Sequence, residues 1–139
     1  MNVWLALLTR HHEHHRVARQ WYESLRAEEA GLCRVVQLGM VRLLANPAIL
    51  GEFAVSAARG WDLMQELLMD ERVAFISEPA GLDSAIPPLL QSKIPTGKPV
   101  TDAYLAAFAM SASLRLVTLD RVFLQFRGLE AEVLGGGEE

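Results

Sequence analysis

A chain of 139 residues, 51% of them apolar, is long enough for a core of its own and too hydrophobic for a disordered segment. Its formal net charge of −4 excludes a generally basic nucleic-acid surface but leaves room for a local basic patch or a cation-bridged acidic site. The single cysteine, Cys33, excludes an intrachain disulfide, and no apolar run approaches the roughly 20 residues that span a bilayer. Composition therefore predicts a soluble, cytoplasmic domain.

Asn2–Leu8 (NVWLALL) is almost continuously apolar, and its shortness predicts a buried strand. An amphipathic helix follows over about His14–Glu29, with Val17, Ala18, Trp21, Tyr22 and Leu25 on one face and Gly31 as its stop. Leu32–Val36 is read as a short strand, with Cys33 as a small core residue. Gln37–Ala45 is read as a helix ended by Asn46-Pro47. A helix over Ser56–Met69, a strand over Val73–Ser77 and a helix over Gly81–Gln91 interrupted at Pro87-Pro88 come next. Ile94–Pro99 is a loop, Thr101–Ser113 a helix capped by Thr101, and Leu114–Leu119 a strand. Asp120–Phe126 is a turn or short helix, and Glu130–Leu134 an edge strand before a glycine-rich tail. Strands alternating with helices predict an α/β sandwich around a mainly parallel sheet, one domain over 1–134 with a flexible tail over 135–139.

Open parallel sheets form their sites beyond the carboxyl ends of the strands. Two acids stand in such places. Asp102 opens a helix after a proline-containing loop, and Asp120 ends a strand. Each has an ordinary structural role open to it, the first in favourable contact with a helix dipole and the second as a turn or cap residue. Brought together, two carboxylates need a cation or a shared proton, and oxygen ligands of this kind suit Mg²⁺ or Mn²⁺.

TDAYLAAFA (Thr101–Ala109) followed by LVTLDRVF (Leu116–Phe123) resembles the C-terminal half of a PIN domain. More closely, the chain resembles the VapC-type toxin ribonucleases of bacterial toxin–antitoxin pairs. The likeness is carried by NVWLAL (Asn2–Leu7), H-x-x-A-x-x-W (His15, Ala18, Trp21), CRVVQLGMVRLLANPAILG (Cys33–Gly51) and RVAFISEPAGL (Arg72–Leu82). It covers most of the chain in order.

The resemblance implies a PIN-like three-layer α/β sandwich and a metal-dependent endoribonuclease that hydrolyses RNA phosphodiester bonds. Asp102 and Asp120 match two of the family's acids, with direct or water-mediated binding of Mg²⁺ or Mn²⁺ as their implied role. The implied partners are RNA, a cognate VapB-type antitoxin and a second copy in a homodimer. Two implied acids are not matched. The family's first strand carries D-x-N-x; Asn2 matches the asparagine, and the aspartate position falls one residue before Met1. On a strand, Asn2 would share a face with that carboxylate. Met1 stands where the family commonly has valine, so one expectation is a gene start upstream of Met1. The other is a genuine loss, leaving a weakened or inactive PIN-like module retained for protein binding. The family's glutamate, after its second strand, meets QLGMVRLL, where Gln37 could offer a neutral oxygen; Glu52 lies beyond Asn46-Pro47 and reads as a loop charge.

Asn2, Gln37 and Thr118 are the supporting polar candidates; Asn2 has a bland role as a strand cap and Thr118 as β-branched filler. Arg42 could contact phosphate but reads first as an exposed helix residue. His11, His14 and His15 would share a face in a helix starting at His11, yet no ligand-spaced cysteine or acid accompanies them. A domain binding a small anion is the remaining alternative, weakened by the lack of a glycine-rich phosphate loop.

Overall fold

The computed structural model describes residues Met1–Gly135, which divide into two compact units, Met1–Ser77 and Glu78 onward. Of the expected tail, Gly135 closes a turn and residues 136–139 lie outside the described residues.

The first unit runs α1 (Asn2–Leu8), α2 (His15–Glu23), β1 (Ala30–Leu32), α3 (Arg34–Leu44), α4 (Pro47–Leu50), α5 (Ala57–Leu68) and β2 (Val73–Phe75). The expected opening strand is a helix. Val3 is its only β-branched residue, while Leu5, Ala6, Leu7 and Leu8 are strong helix formers. Packing of α1 against α2 and α3 decides what apolar periodicity left open. Trp4 meets the ring edges of Trp21 and Tyr22 at 5.9 and 6.3 Å between centroids. His15 contributes its Nδ1–H to the Ala6 carbonyl at 2.8 Å, tying the last turn of α1 to the start of α2.

The first amphipathic helix is shorter than its sequence pattern. It stops at Glu23 because the following backbone is drawn into the sheet: the N–H groups of Glu28 and Ala30 donate to the carbonyls of Glu71 and Arg72. Glu28 takes a left-handed φ of 59°, and Gly31 lies inside β1 rather than ending a helix. Strand β1 ends at Leu32, before the predicted LCRVV strand does. Extended Cys33 is the N-cap of α3, which absorbs Val35 and Val36 against their β preference. Its buried residues Val36, Met40 and Leu44 recur every four positions against α5, which buries Gly60, Met64 and Leu67. Ser56 caps α5 by accepting the Arg59 N–H at 3.1 Å. Strands β1 and β2 pair in parallel, Ala30 opposite Val73 and Leu32 opposite Phe75.

A polar lock ties β2 to α2. Arg72 donates from Nε and Nη2 to the two carboxylate oxygens of Asp70, both at 3.0 Å. The Arg72 guanidinium also lies 4.4 Å from the Tyr22 ring centre. The hydrogen bonds from Arg72 hold the Asp70 carboxyl well below the usual carboxylate range. Burial, aided by a hydrogen bond to Asp70, pushes the Tyr22 phenol up to about 12. A carboxylate with a depressed folded pKa stabilises the fold above its unfolded pKa and loses that contribution as pH falls toward the folded value. Asp70→Asn is therefore expected to melt below the wild type at neutral pH. The gap should close as pH drops below about 4, the ordinary aspartate range. Thermal melts from pH 7 to pH 2 check this; a gap independent of pH would remove the charge from the explanation.

The second unit runs α6 (Leu82–Leu90), α7 (Pro99–Ser111), β3 (Leu116–Thr118), a 3₁₀ turn (Arg121–Gln125) and β4 (Ala131–Val133). Pro87 and Pro88 do not interrupt α6; they sit within it, and the helix closes with the Gln91 N–H on the Pro87 carbonyl. Gly81, at φ 93°, is its N-cap, a left-handed conformation that glycine adopts without strain. Thr101 is not the cap of α7. Lys98 is, with Pro99 as the first helical residue, because proline's fixed φ and missing N–H suit that place. Helix α7 buries Ala103, Ala106, Ala107, Phe108 and Ala109, and it packs on α6 and β3. Ala106, Phe123 and Phe126 form a buried cluster, closed by Leu89, Ile94, Leu116 and Leu129 among others. Strands β3 and β4 are parallel, Leu116 opposite Ala131. Both strand pairs are thus parallel, as the alternation of strands and helices required. Among the described residues no helix is long and apolar enough to cross a membrane.

Candidate active site

Asp102 enters from the first turn of α7 and Asp120 from the residue after Leu119, just past β3. Helix α7 packs against β3, and the short connection 112–115 reverses the chain between them. The start of α7 and the end of β3 therefore lie at the same end of that pair, the carboxyl end of the strand.

The two acids differ in setting. Asp102 is only 8% exposed. Its Oδ2 accepts the Thr96 hydroxyl hydrogen, and its N–H donates to the Lys98 carbonyl at 2.9 Å. The Lys98 N–H donates in turn to Thr96 Oγ1 at 3.1 Å, so the loop before α7 is closed onto the acid. Asp120 is exposed, and its Oδ1 accepts the Val122 N–H at 2.9 Å as the cap of the 3₁₀ turn. Its own N–H donates to Thr118 Oγ1 at 3.0 Å, and Thr118 is buried. Neither aspartate belongs to an ion pair among the described residues.

The Thr96 hydroxyl is a neutral partner, and buried charges are ordinarily paired or metal-bound, so the Asp102 carboxylate is suited to a cation. The donor set fits a hard divalent cation of the Mg²⁺ kind, which retains several waters and takes one or two carboxylates. It goes no further: among the described residues no group of three or more His, Cys, Asp or Glu side chains could hold a metal ion.

The other sequence candidates lie in the first unit, apart from Thr118. Asn2 is the partly buried first residue of α1, so the strand alternation that aimed it at a preceding carboxylate does not apply. Gln37 is fully buried on α3, and its Oε1 accepts a hydrogen bond from Arg34 Nη1. A guanidinium only donates, which makes the engaged atom the carbonyl oxygen and leaves Nε2 without a partner among the described residues. Gln37 therefore presents a donor where a neutral oxygen was expected, and an N–H₂ group does not ligate a cation. Arg42 is exposed in the last turn of α3, where a cation suits the helix dipole, and Glu52 is exposed in the Gly51–Phe53 turn. The histidines share no helical face, because α2 begins only at His15. His11 stacks on Phe53 at 4.4 Å, and His12 Nδ1 accepts the His14 N–H at 3.0 Å. Burial, with His14 nearby, lowers the His12 pKa.

Thr96 and Arg34 were not legible in the sequence. Thr96 sits in an ordinary Pro/Gly loop, and its only signal is the six-residue distance to Asp102. The significance of Arg34 depends on rings far away in the chain.

A family model described as PIN domain matches residues 1–129. Ribonuclease VapC41 of Mycobacterium tuberculosis is 35% identical over 96% of this chain and 94% of its own. Ribonuclease VapC44 of the same organism is 34% identical over 87% of this chain and 83% of its own. A solved structure, VapBC2 from Rickettsia felis bound to a DNA fragment from their promoter, has a chain that superposes with a TM-score of 0.65. That likeness covers 96% of this chain and 94% of the other at 14% identity, and so speaks for the fold alone. With a match over nearly its whole length and relatives above 30% identity, the chain belongs to the PIN domain family.

Proposed function

We propose that the protein is a divalent-cation-dependent ribonuclease of the VapC toxin type, which hydrolyses RNA phosphodiester bonds with Asp102 and Asp120 as its cation-holding acids. The observation that carries this reading is the buried Asp102 carboxylate, which has no ion-pair partner among the described residues, at the same end of the α7–β3 pair as Asp120. The near full-length similarity to proteins named ribonucleases supports it. Thr96 fixes one oxygen of Asp102 and orients the carboxylate. The cap bond to Val122 does the same for Asp120. When bound, a divalent cation supplies Lewis-acid polarisation of phosphoryl oxygen and water. It also lets an acidic protein engage a polyanion.

On the same reading, Mg²⁺ or Mn²⁺ is the cation, and a VapB-type antitoxin, as in the VapBC2 complex, is the protein partner. A homodimer in the cytoplasm is the working form. The test is cleavage of structured RNA in Mn²⁺. Wild type should cut and lose activity on chelation, and Asp120→Asn should fall well below it. Cleavage that survives both chelation and substitution of the two aspartates overturns the assignment. A second reading, a PIN module kept for protein binding, is favoured by one observation: no third acid joins Asp102 and Asp120 among the described residues. Tight antitoxin binding with no cleavage by any form would select it.

A further inference from the structure

At the carboxyl end of the β1–β2 pair, side chains from three elements of the first unit converge. Arg34, the first residue of α3, has its guanidinium 4.9 Å from the ring centre of Phe75, which ends β2. It also lies 5.7 Å from the ring centre of Trp61 on α5. Both rings stay partly open to solvent, at 41% and 38% exposure. The third contact is the hydrogen bond from Nη1 to Gln37. An exposed arginine is thus held in place by two rings and an amide, with no carboxylate: Arg34 belongs to no ion pair among the described residues.

Its position opposes the local field. The N-terminus of a helix is positive and favours anions, yet α3 has a cation there and no acid in its first turn. Cys33 gives no side-chain cap, and the first intrahelical hydrogen bond is that of the Gln37 N–H to the Cys33 carbonyl. The three preceding N–H groups point out of the helix end. Helical side chains lean toward the N-terminus, which brings the Gln37 amide to Arg34, and its fully buried Nε2 has no acceptor among the described residues. Guanidinium, amide N–H₂ and helix N–H groups are all donors. A buried donor is costly to leave unmade, and this set matches the oxygens of a phosphate.

We propose that the N-terminus of α3, with Arg34 and Gln37, is a subsite for a backbone phosphate of single-stranded RNA, with Trp61 and Phe75 as flanking platforms for the adjoining bases. The proposal rests on the ribonuclease reading and extends it to substrate binding. The rings favour RNA over an acidic peptide, since bases stack where glutamate side chains do not.

The test measures binding of a labelled single-stranded RNA to the full chain in chelator, so that neither metal nor cleavage contributes. Arg34→Gln should weaken binding about tenfold and reduce the slope of log K against log salt by about 0.7, the loss of one phosphate contact. Arg34→Lys should recover only part of the affinity, because charge remains and the planar fork does not. Gln37→Glu, which pairs Arg34 internally, should lose binding as Arg34→Gln does. Arg19→Gln, at an exposed pair with Glu23, should change nothing. In Mn²⁺, Arg34→Gln should raise KM with kcat nearly unchanged. Inorganic phosphate should shift the amide resonances of residues 34–37. Wild-type affinity and salt slope in Arg34→Gln, in protein that melts normally, would overturn the subsite and leave the nuclease standing. RNA binding that follows this pattern without cleavage would overturn the nuclease and leave the subsite. Equal competition by a glutamate-rich peptide would reassign the site to an acidic protein and overturn the RNA proposal.

Discussion

Replacing Asp102 by asparagine is expected to reduce RNA cleavage by roughly 10²–10³-fold, since the Lewis-acid contribution of a bound cation is several kcal/mol. The substitution keeps the volume of the side chain and an oxygen that can still accept from Thr96. What it removes is the charge. That charge is only 8% exposed and has a neutral hydroxyl as its side-chain partner, so its removal should leave thermal stability unchanged or slightly higher. Turnover in Mn²⁺ and the melting midpoint, measured on the same preparation, separate catalysis from folding. A variant that still cuts RNA but melts early would make Asp102 a structural residue of the α7 loop. A variant that folds and does not cut supports its role as a cation holder.

Truncating Met64 to alanine is expected to cost about 2–5 kcal/mol, the range for large-to-small changes in a packed core. Met64 is fully buried on α5 and faces α3, where Met40 is equally buried. The α3–α5 seam is already in contact at Gly60, where a Cβ would meet Val41 at ordinary van der Waals distance, so the cavity left by Met64 is filled only by repacking. Met69, one residue beyond the end of α5, is 84% exposed, and its truncation should fall within about 0.5 kcal/mol of zero. Urea unfolding of both variants checks the contrast. Similar losses at the two sites would show that residue type, not burial between α3 and α5, carries the effect. A domain of this size has about 5–15 kcal/mol in total, so the Met64 variant should be visibly less stable at ambient temperature.

The charge and aromatic features illustrate what pattern alone can and cannot show. Asp102 and Asp120 stand out in sequence because each falls where a strand ends or a helix begins, and the structure puts both at one end of the α7–β3 pair. Gln37 also stood out, as the residue at an expected glutamate. Its role changed because Arg34 claims the carbonyl oxygen, and no spacing rule reveals which end of an amide is occupied. Arg34 itself was unremarkable in CRVVQ. Its meaning comes from Trp61 and Phe75, 27 and 41 positions away.

By itself the sequence determined the α/β class, the helices over α3, α5 and α7, the parallel pairing and the family, and it singled out Asp102 and Asp120 as the acids to test. These rest on periodicity, on glycine and proline punctuation and on ordered motifs, all of which are local and cumulative. Tertiary structure alone decided that Asn2–Leu8 is a helix, because an all-apolar segment has no polar face to report its period and packing on α2 and α3 chooses for it. It decided where the His15 helix stops, because carbonyls of Glu71 and Arg72 take the N–H groups that another turn would need. It also decided that the buried polar atom of α3 is a donor. Hydrogen-bond partners distant in the chain set that choice, and no run of residues encodes them.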